Sequence, residues 1–172
     1  FVESSSAPTS HLFLEIKDRM TIEVAKESQM NVTAYPDESS IFTSMLKGSG
    51  ESKIIAGGKT AFLKLNQQAR FRGDSLTITN MDAVAADATK AWKEGNFDFR
   101  YNFETMMRQI GRWYDLDIIY LNNEIPVKTF GGSLRRDTNN LNDMIKVFEL
   151  NGYDVKLEGR KLIVAGVLET NK

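Results

Sequence analysis

The 172-residue sequence has no cysteine, a single histidine and no long apolar run, and each absence removes a class of function. Without cysteine there are no disulfides, thiolate metal sites or cysteine nucleophiles. A cysteine-free chain suits an oxidising compartment, and the cytosol permits it equally. No stretch reaches the roughly 18 to 20 apolar residues that cross a bilayer, and the opening residues lack the basic start and apolar core of a secretion signal. Because the first residue is Phe1 and not Met, the sequence reads as a mature or excised fragment, and any membrane anchor is expected upstream of it. Charge of neither sign is in excess, with 22 Lys plus Arg against 23 Asp plus Glu. No long-range field therefore draws polyanions, which argues against nucleic acid as a partner. What is present, 41% hydrophobic and 26% charged residues, is the composition of a folded domain.

Residues 1–11, rich in Ser with Ala, Pro and Thr, read as a flexible lead-in. Over residues 12–81 short alternating runs follow one another, such as Met20, Ile22 and Val24, then Met30, Val32 and Ala34, then Ala61, Leu63 and Leu65. Between them stand turn residues: Tyr35-Pro36-Asp37, Lys47-Gly48-Ser49-Gly50, Gly57-Gly58 and Arg72-Gly73-Asp74. Turns at roughly eight- to twelve-residue intervals predict a β meander, sandwich or solenoid-like part. Residues 82–94 are Ala-rich and read as a helical connector.

From residue 95 to 168 the order of parts is strand, helix, strand, given twice. Phe97 and Phe99 alternate, and Asn102 is placed to cap a helix bearing Phe103, Met106, Met107, Ile110, Trp113 and Tyr114 at spacings of three and four. Residues 117–121 read as a strand. Residues 127–134 give another, interrupted by Gly131-Gly132, and Leu141, Met144, Ile145 and Phe148 repeat the helical spacing up to Asn151-Gly152. Two strands joined by Glu158-Gly159-Arg160 close the chain. The expected class is α+β, the last part being a small sheet with two helices on one face. Its expected core is Trp92, Phe103, Met107, Ile110, Trp113, Tyr114, Leu141, Ile145 and Phe148, with Trp113 as a central plug whose replacement by Ala costs about 3–5 kcal/mol.

Chemistry-bearing groups are sparse. His11, in the lead-in, reads as a surface histidine and supplies neither a base nor a metal cluster. Gly58-Lys59-Thr60 resembles the tail of a phosphate loop, but the glycine required five residues before Gly58 is Lys53, so a hairpin turn is expected. No catalytic residue, metal site or cofactor site is assigned. Two carboxylates about 5–10 Å apart in a cleft would still serve a glycosidase, the one enzyme class left open. Interaction surfaces remain. Phe130, Gly131, Gly132, Leu134, Arg135 and Arg136 combine an aromatic, glycines and paired arginines on a strand. They read either as a twisted strand ending in a solvated turn or as a sheet edge that accepts a partner's strand, with the arginines at its rim.

Several segments resemble the FecR family of inner-membrane anti-sigma regulators. They are Ala91-Trp92-Lys93-Glu94-Gly95-Asn96-Phe97-Asp98-Phe99, the helix end from Ile110 to Tyr114, Phe130-Gly131-Gly132-Ser133-Leu134, and the helix following Asn140. Met30-Asn31-Val32-Thr33-Ala34-Tyr35-Pro36-Asp37-Glu38 and Leu65-Asn66-Gln67-Gln68-Ala69 are similar to the family's upstream β domain, whose usual beginning is missing or much shortened. The resemblance implies a C-terminal module similar to the short domain of secretins and TonB-dependent transducers, known as STN. It further implies a periplasmic, non-enzymatic signalling part that binds the signalling domain of an outer-membrane TonB-dependent transducer. An absent N-terminal region would hold an extracytoplasmic-function sigma factor, and an absent upstream helix would be the only membrane contact. The alternative is a structural or assembly module of an envelope transport or secretion complex.

Overall fold

The computed structural model describes residues 1–5, 12–98, 103–121, 124–126, 133–135 and 141–167. Its fold is α+β, gathered into two compact units, Phe1–Lys90 and Ala91–Lys172.

Among the described residues the first unit holds nine strands: β1 (Val2–Glu3), β2 (Leu12–Ile16), β3 (Met20–Val24), β4 (Gln29–Thr33), β5 (Ser40–Lys47), β6 (Ser52–Ala56), β7 (Lys59–Leu63), β8 (Gln67–Arg72) and β9 (Ser75–Asn80). They form a five-stranded sheet in the order β1-β4-β5-β8-β9 and a four-stranded sheet in the order β2-β3-β6-β7. All pairings are antiparallel, and the chain lays hairpins alternately into the two sheets. Alternation sets the inward face: Met20, Ile22 and Val24 of β3 are buried while Thr21 and Glu23 between them are not. Ile22, Ile54 and Leu63 from one sheet share a single core with Met30, Ile41, Met45, Ala69 and Phe71 from the other, so the unit is a β-sandwich.

The lead-in expected over residues 1–11 begins instead with a strand. Val2 pairs with Met30 and packs against the core, and the Ser4 amide donates to Ser28 O (2.9 Å). The stretch Gly57-Gly58 is the two-residue turn between β6 and β7, both residues at positive φ (55° and 71°). That geometry suits a hairpin and leaves no helix N-terminus behind Lys59 to hold a phosphate. Beyond β9, the Asp82 carboxylate accepts a hydrogen bond from the Ala85 amide (2.7 Å) and so caps helix α1 (Ala83–Ala91).

A 3₁₀ turn, Trp92–Glu94, ends on Gly95 and leads into the second unit: β10 (Asn96–Asp98), α2 (Phe103–Tyr114), β11 (Asp117–Tyr120), β12 (Ser133–Arg135), α3 (Leu141–Leu150), β13 (Tyr153–Glu158) and β14 (Lys161–Val167). Its strands divide between two sheets, in place of the single sheet expected. β10 and β12, the first strands of the two repeats, pair with each other, whereas β11 and β13 flank β14 in the order β11-β14-β13. The final hairpin decides this, because β14 offers β11 a parallel partner on its side away from β13.

Phe103, Met106, Met107 and Ile110 of α2 and Met144 and Phe148 of α3 bury their faces against Tyr153, Val155, Leu162 and Val164. Five of the nine expected core positions lie outside the buried core. Trp92 is 39% exposed, since it sits in the 3₁₀ turn ahead of the sheets. Trp113 is only partly buried and packs at the rim, as do Tyr114, Leu141 and Ile145, because α2 ends one residue beyond it. The centre is occupied by Phe103 stacked on Tyr153 (centroids 4.5 Å apart) with Phe148 edge-on to both.

Candidate partner-binding surface

Of the residues expected to meet a partner, Phe130, Gly131, Gly132 and Arg136 lie outside the described residues, as does His11. Leu134 and Arg135 stand on β12, opposite Phe97 and Asn96 of β10. Among the described residues β12 has one strand neighbour, β10.

Against β11 lies a polar group that the sequence did not single out. Glu104 and Arg108, one turn apart on α2, form an ion pair, and Arg108 also reaches Thr105 Oγ1 (3.4 Å). The Tyr120 hydroxyl and Arg108 Nε are buried near them with no hydrogen-bond partner among the described residues. Burial pushes the Tyr120 hydroxyl up to about 12; the Glu104 carboxylate adds to the rise and Arg108 opposes it. No motif announces this arrangement, because strand and helix meet only through the tertiary fold.

A buried hydroxyl without a partner carries its desolvation cost uncompensated, and replacing it by an apolar group is neutral to favourable. Tyr120→Phe is therefore expected to keep or raise the melting temperature at neutral pH, by up to about 1 kcal/mol of stability. The effect on alkaline stability has a definite sign. The fold holds the proton more tightly than the unfolded chain, so stability is complete below pH 10 and declines as pH rises towards about 12. The variant should lose less stability over that interval, with Tyr153, also raised by burial, retaining part of the decline. Melting curves at neutral pH and across the alkaline range check both statements; a clear loss at neutral pH would show that the hydroxyl has a partner.

Exposed apolar side chains on the second unit include Ile119, Leu121, Ile125, Leu157, Val167 and, at 85% exposure, Leu150 at the end of α3. The described residues hold no group of three or more His, Asp or Glu placed to bind a metal ion, and no helix long and apolar enough to cross a membrane. What the second unit presents is strand edges and apolar side chains, the material of protein recognition.

Residues 97–164 match a family model described as FecR, C-terminal. Two crystal structures of proteins from Parabacteroides distasonis ATCC 8503, each described as an anti-sigma factor, share the fold at 16% identity. One, with a TM-score of 0.71, aligns over 90% of this chain and 71% of its own. The other, with a TM-score of 0.73, aligns over 94% and 73%. No curated protein sequence matches the chain. The matched residues run from β10 to β14 and take in both helices and every residue of the aromatic centre. Residues 97–164, most of the second unit, are thus similar to the C-terminal part of the FecR family.

Proposed function

We propose that this chain is the periplasmic interaction portion of an anti-sigma factor, working without catalysis. The observation that carries the reading is the FecR C-terminal match over residues 97–164. The shared fold with two proteins described as anti-sigma factors supports it over nearly the whole chain. In this reading the second unit, an STN-like module, binds the signalling domain of an outer-membrane TonB-dependent transducer. That event controls release of an extracytoplasmic-function sigma factor held by a region of the protein outside this sequence, across the inner membrane.

The docking element is the β12 strand with its glycine-rich approach. In this reading the edge of β12 would supply main-chain hydrogen bonds to an extended partner segment, and Arg135 and Arg136 would pair with the partner's carboxylates. Calorimetric titration of this chain with the signalling domain of the transducer encoded beside it is the test. Binding in the micromolar range or tighter is expected, and none at high micromolar concentration would sink the proposal. Reversal of both charges, Arg135→Glu with Arg136→Glu, is expected to weaken binding about tenfold, mostly through slower association at low salt. Unchanged affinity would remove the arginine rim from the docking element.

A further inference from the structure

Both outer strands of the three-stranded sheet, β11 and β13, carry a row of backbone N–H and C=O groups with no strand neighbour among the described residues. Such rows template pairing with another chain, and proteins guard them with bulges and charges. β13 is guarded: its register shifts between Asp154 and Val155, and Lys156 and Glu158 stand along it. β11 reads Asp117-Ile118-Ile119-Tyr120, with one charge at its first position and no register shift. On its outward face Ile119 is 38% exposed and lies opposite Ile163 of β14, and Leu121, just beyond the strand, is 45% exposed.

We propose that β11 is a self-association edge: two copies of this chain pair their β11 strands antiparallel about a two-fold axis at Ile119, joining two three-stranded sheets into one of six. The sequence of the strand carries the choice of a second copy. Opposed residues of an antiparallel ladder project to the same face, so a two-fold at Ile119 keeps helix-side residues together. Ile118 meets the partner's Tyr120, Asp117 meets the partner's Leu121, and Ile119 meets its own counterpart. The outward face gains an unbroken row of Ile163, Ile119, the partner's Ile119 and the partner's Ile163, closed at each end by Lys156, which neighbours Ile163. Asp117 remains beside Lys161 of its own copy. A slip of one residue sets helix-side against outward side chains. A two-fold at Ile118 keeps the faces but places Asp117 against Ile119 and breaks the row. The paired stretch is short, so the dimer is weak and forms at high protein concentration. An isologous contact of this kind closes on itself and does not propagate into fibres.

The absence of native cysteine makes the register directly readable. In Ile119→Cys the two thiols face each other across an opposed pair, whose Cα atoms stand about 4.5–5.5 Å apart, within disulfide reach. Leu157→Cys on β13, 37% exposed, is the control of matched exposure. With diamide as oxidant at high protein concentration, Ile119→Cys is expected to cross-link at least about tenfold faster than Leu157→Cys, because pairing raises its effective concentration. In sedimentation, wild-type protein should show a concentration-dependent dimer that Ile119→Lys abolishes while its circular dichroism stays native. Equal cross-linking rates for the two cysteines, or a wild-type protein that stays monomeric at the highest concentration, would overturn the proposal.

Discussion

Phe148→Ala is expected to destabilise the second unit by about 3–5 kcal/mol, enough to consume much of the stability of a small unit. Phe148 is 1% exposed and stands edge-on to Phe103 (6.1 Å between centroids) and to Tyr153 (6.3 Å). Truncation removes both edge contacts and leaves a void that α2, α3 and the sheet cannot fill without shifting together. Trp113→Ala removes a larger side chain from the rim, where solvent takes up part of the vacated space, so its cost is expected to be about 1–3 kcal/mol. Hydrogen exchange resolved by peptide separates the effect from the rest of the chain. Amides of α2, α3 and β14 should lose protection in Phe148→Ala while those of β3 and β5 keep theirs. A greater loss in Trp113→Ala than in Phe148→Ala would mean that the centre of this core is misplaced.

Gly48→Ala is expected to be the most damaging single-methyl change in the sandwich. Gly48 follows β5 at φ 122°, and a Cβ there would stand 2.9 Å from Ser28 Cβ, 3.0 Å from Met45 Cε and 3.2 Å from Ser28 Cα. Met45 can bend away at its end. Ser28 cannot, because its hydroxyl donates to Ala25 O (2.6 Å) and its amide donates to Ser4 Oγ (3.0 Å). Backbone strain and crowding each contribute about 1–3 kcal/mol. Gly73, in the turn between β8 and β9, also has positive φ, but a Cβ there meets nothing within 4 Å. Gly73→Ala should therefore cost only the conformational term, about 1–2 kcal/mol. Urea midpoints at unchanged slope compare the two. Equal shifts would show that the contact with Ser28 relaxes freely.

The helices of the second unit were legible because their apolar residues recur at helical spacing and because both ends carry stop signals. Asn151 and Gly152 end α3, with the Gly152 amide donating to Glu149 O (2.9 Å). The strands of the sandwich were legible where alternation is clean, as in β3. It is least clean in β5, where Thr43 faces the core while Ser40 and Ser44, on the opposite face, are buried as well. Arg70 Nε donates to Ser40 Oγ (3.2 Å) and Gln68 Nε2 to Ser44 Oγ (2.9 Å), so long side chains of β8 cover that outer face. Burial by a neighbour's polar side chain leaves no apolar mark on the strand it covers.

Gly111 shows the same limit from the other side. Inside α2 it reads as a weak helix position, yet a Cβ there would stand 2.9 Å from Leu116 O and 3.2 Å from Ile118 Cγ1. The glycine is what lets the helix lie directly on β11. The contact it permits is with residues later in the chain, so its role follows from the return path of the backbone.

Local composition by itself determined the α+β class, the two helical faces and the hairpin nature of Gly57-Gly58, because periodicity and turn chemistry act over a few residues. The resemblance of residues 97–164 to the FecR C-terminal model was likewise written in short segments, among them those around Phe97 and Trp113. Only the tertiary structure decided that the last five strands divide between two sheets, since β11 chooses β14 over β12 across a long separation. It also moved Trp92 and Trp113 away from the centre in favour of Phe103, Phe148 and Tyr153, and brought Tyr120 against Glu104 and Arg108. Which strand pairs with which, and which bulky residue ends at the middle, depends on closing the whole chain, and that information is carried by no single window of it.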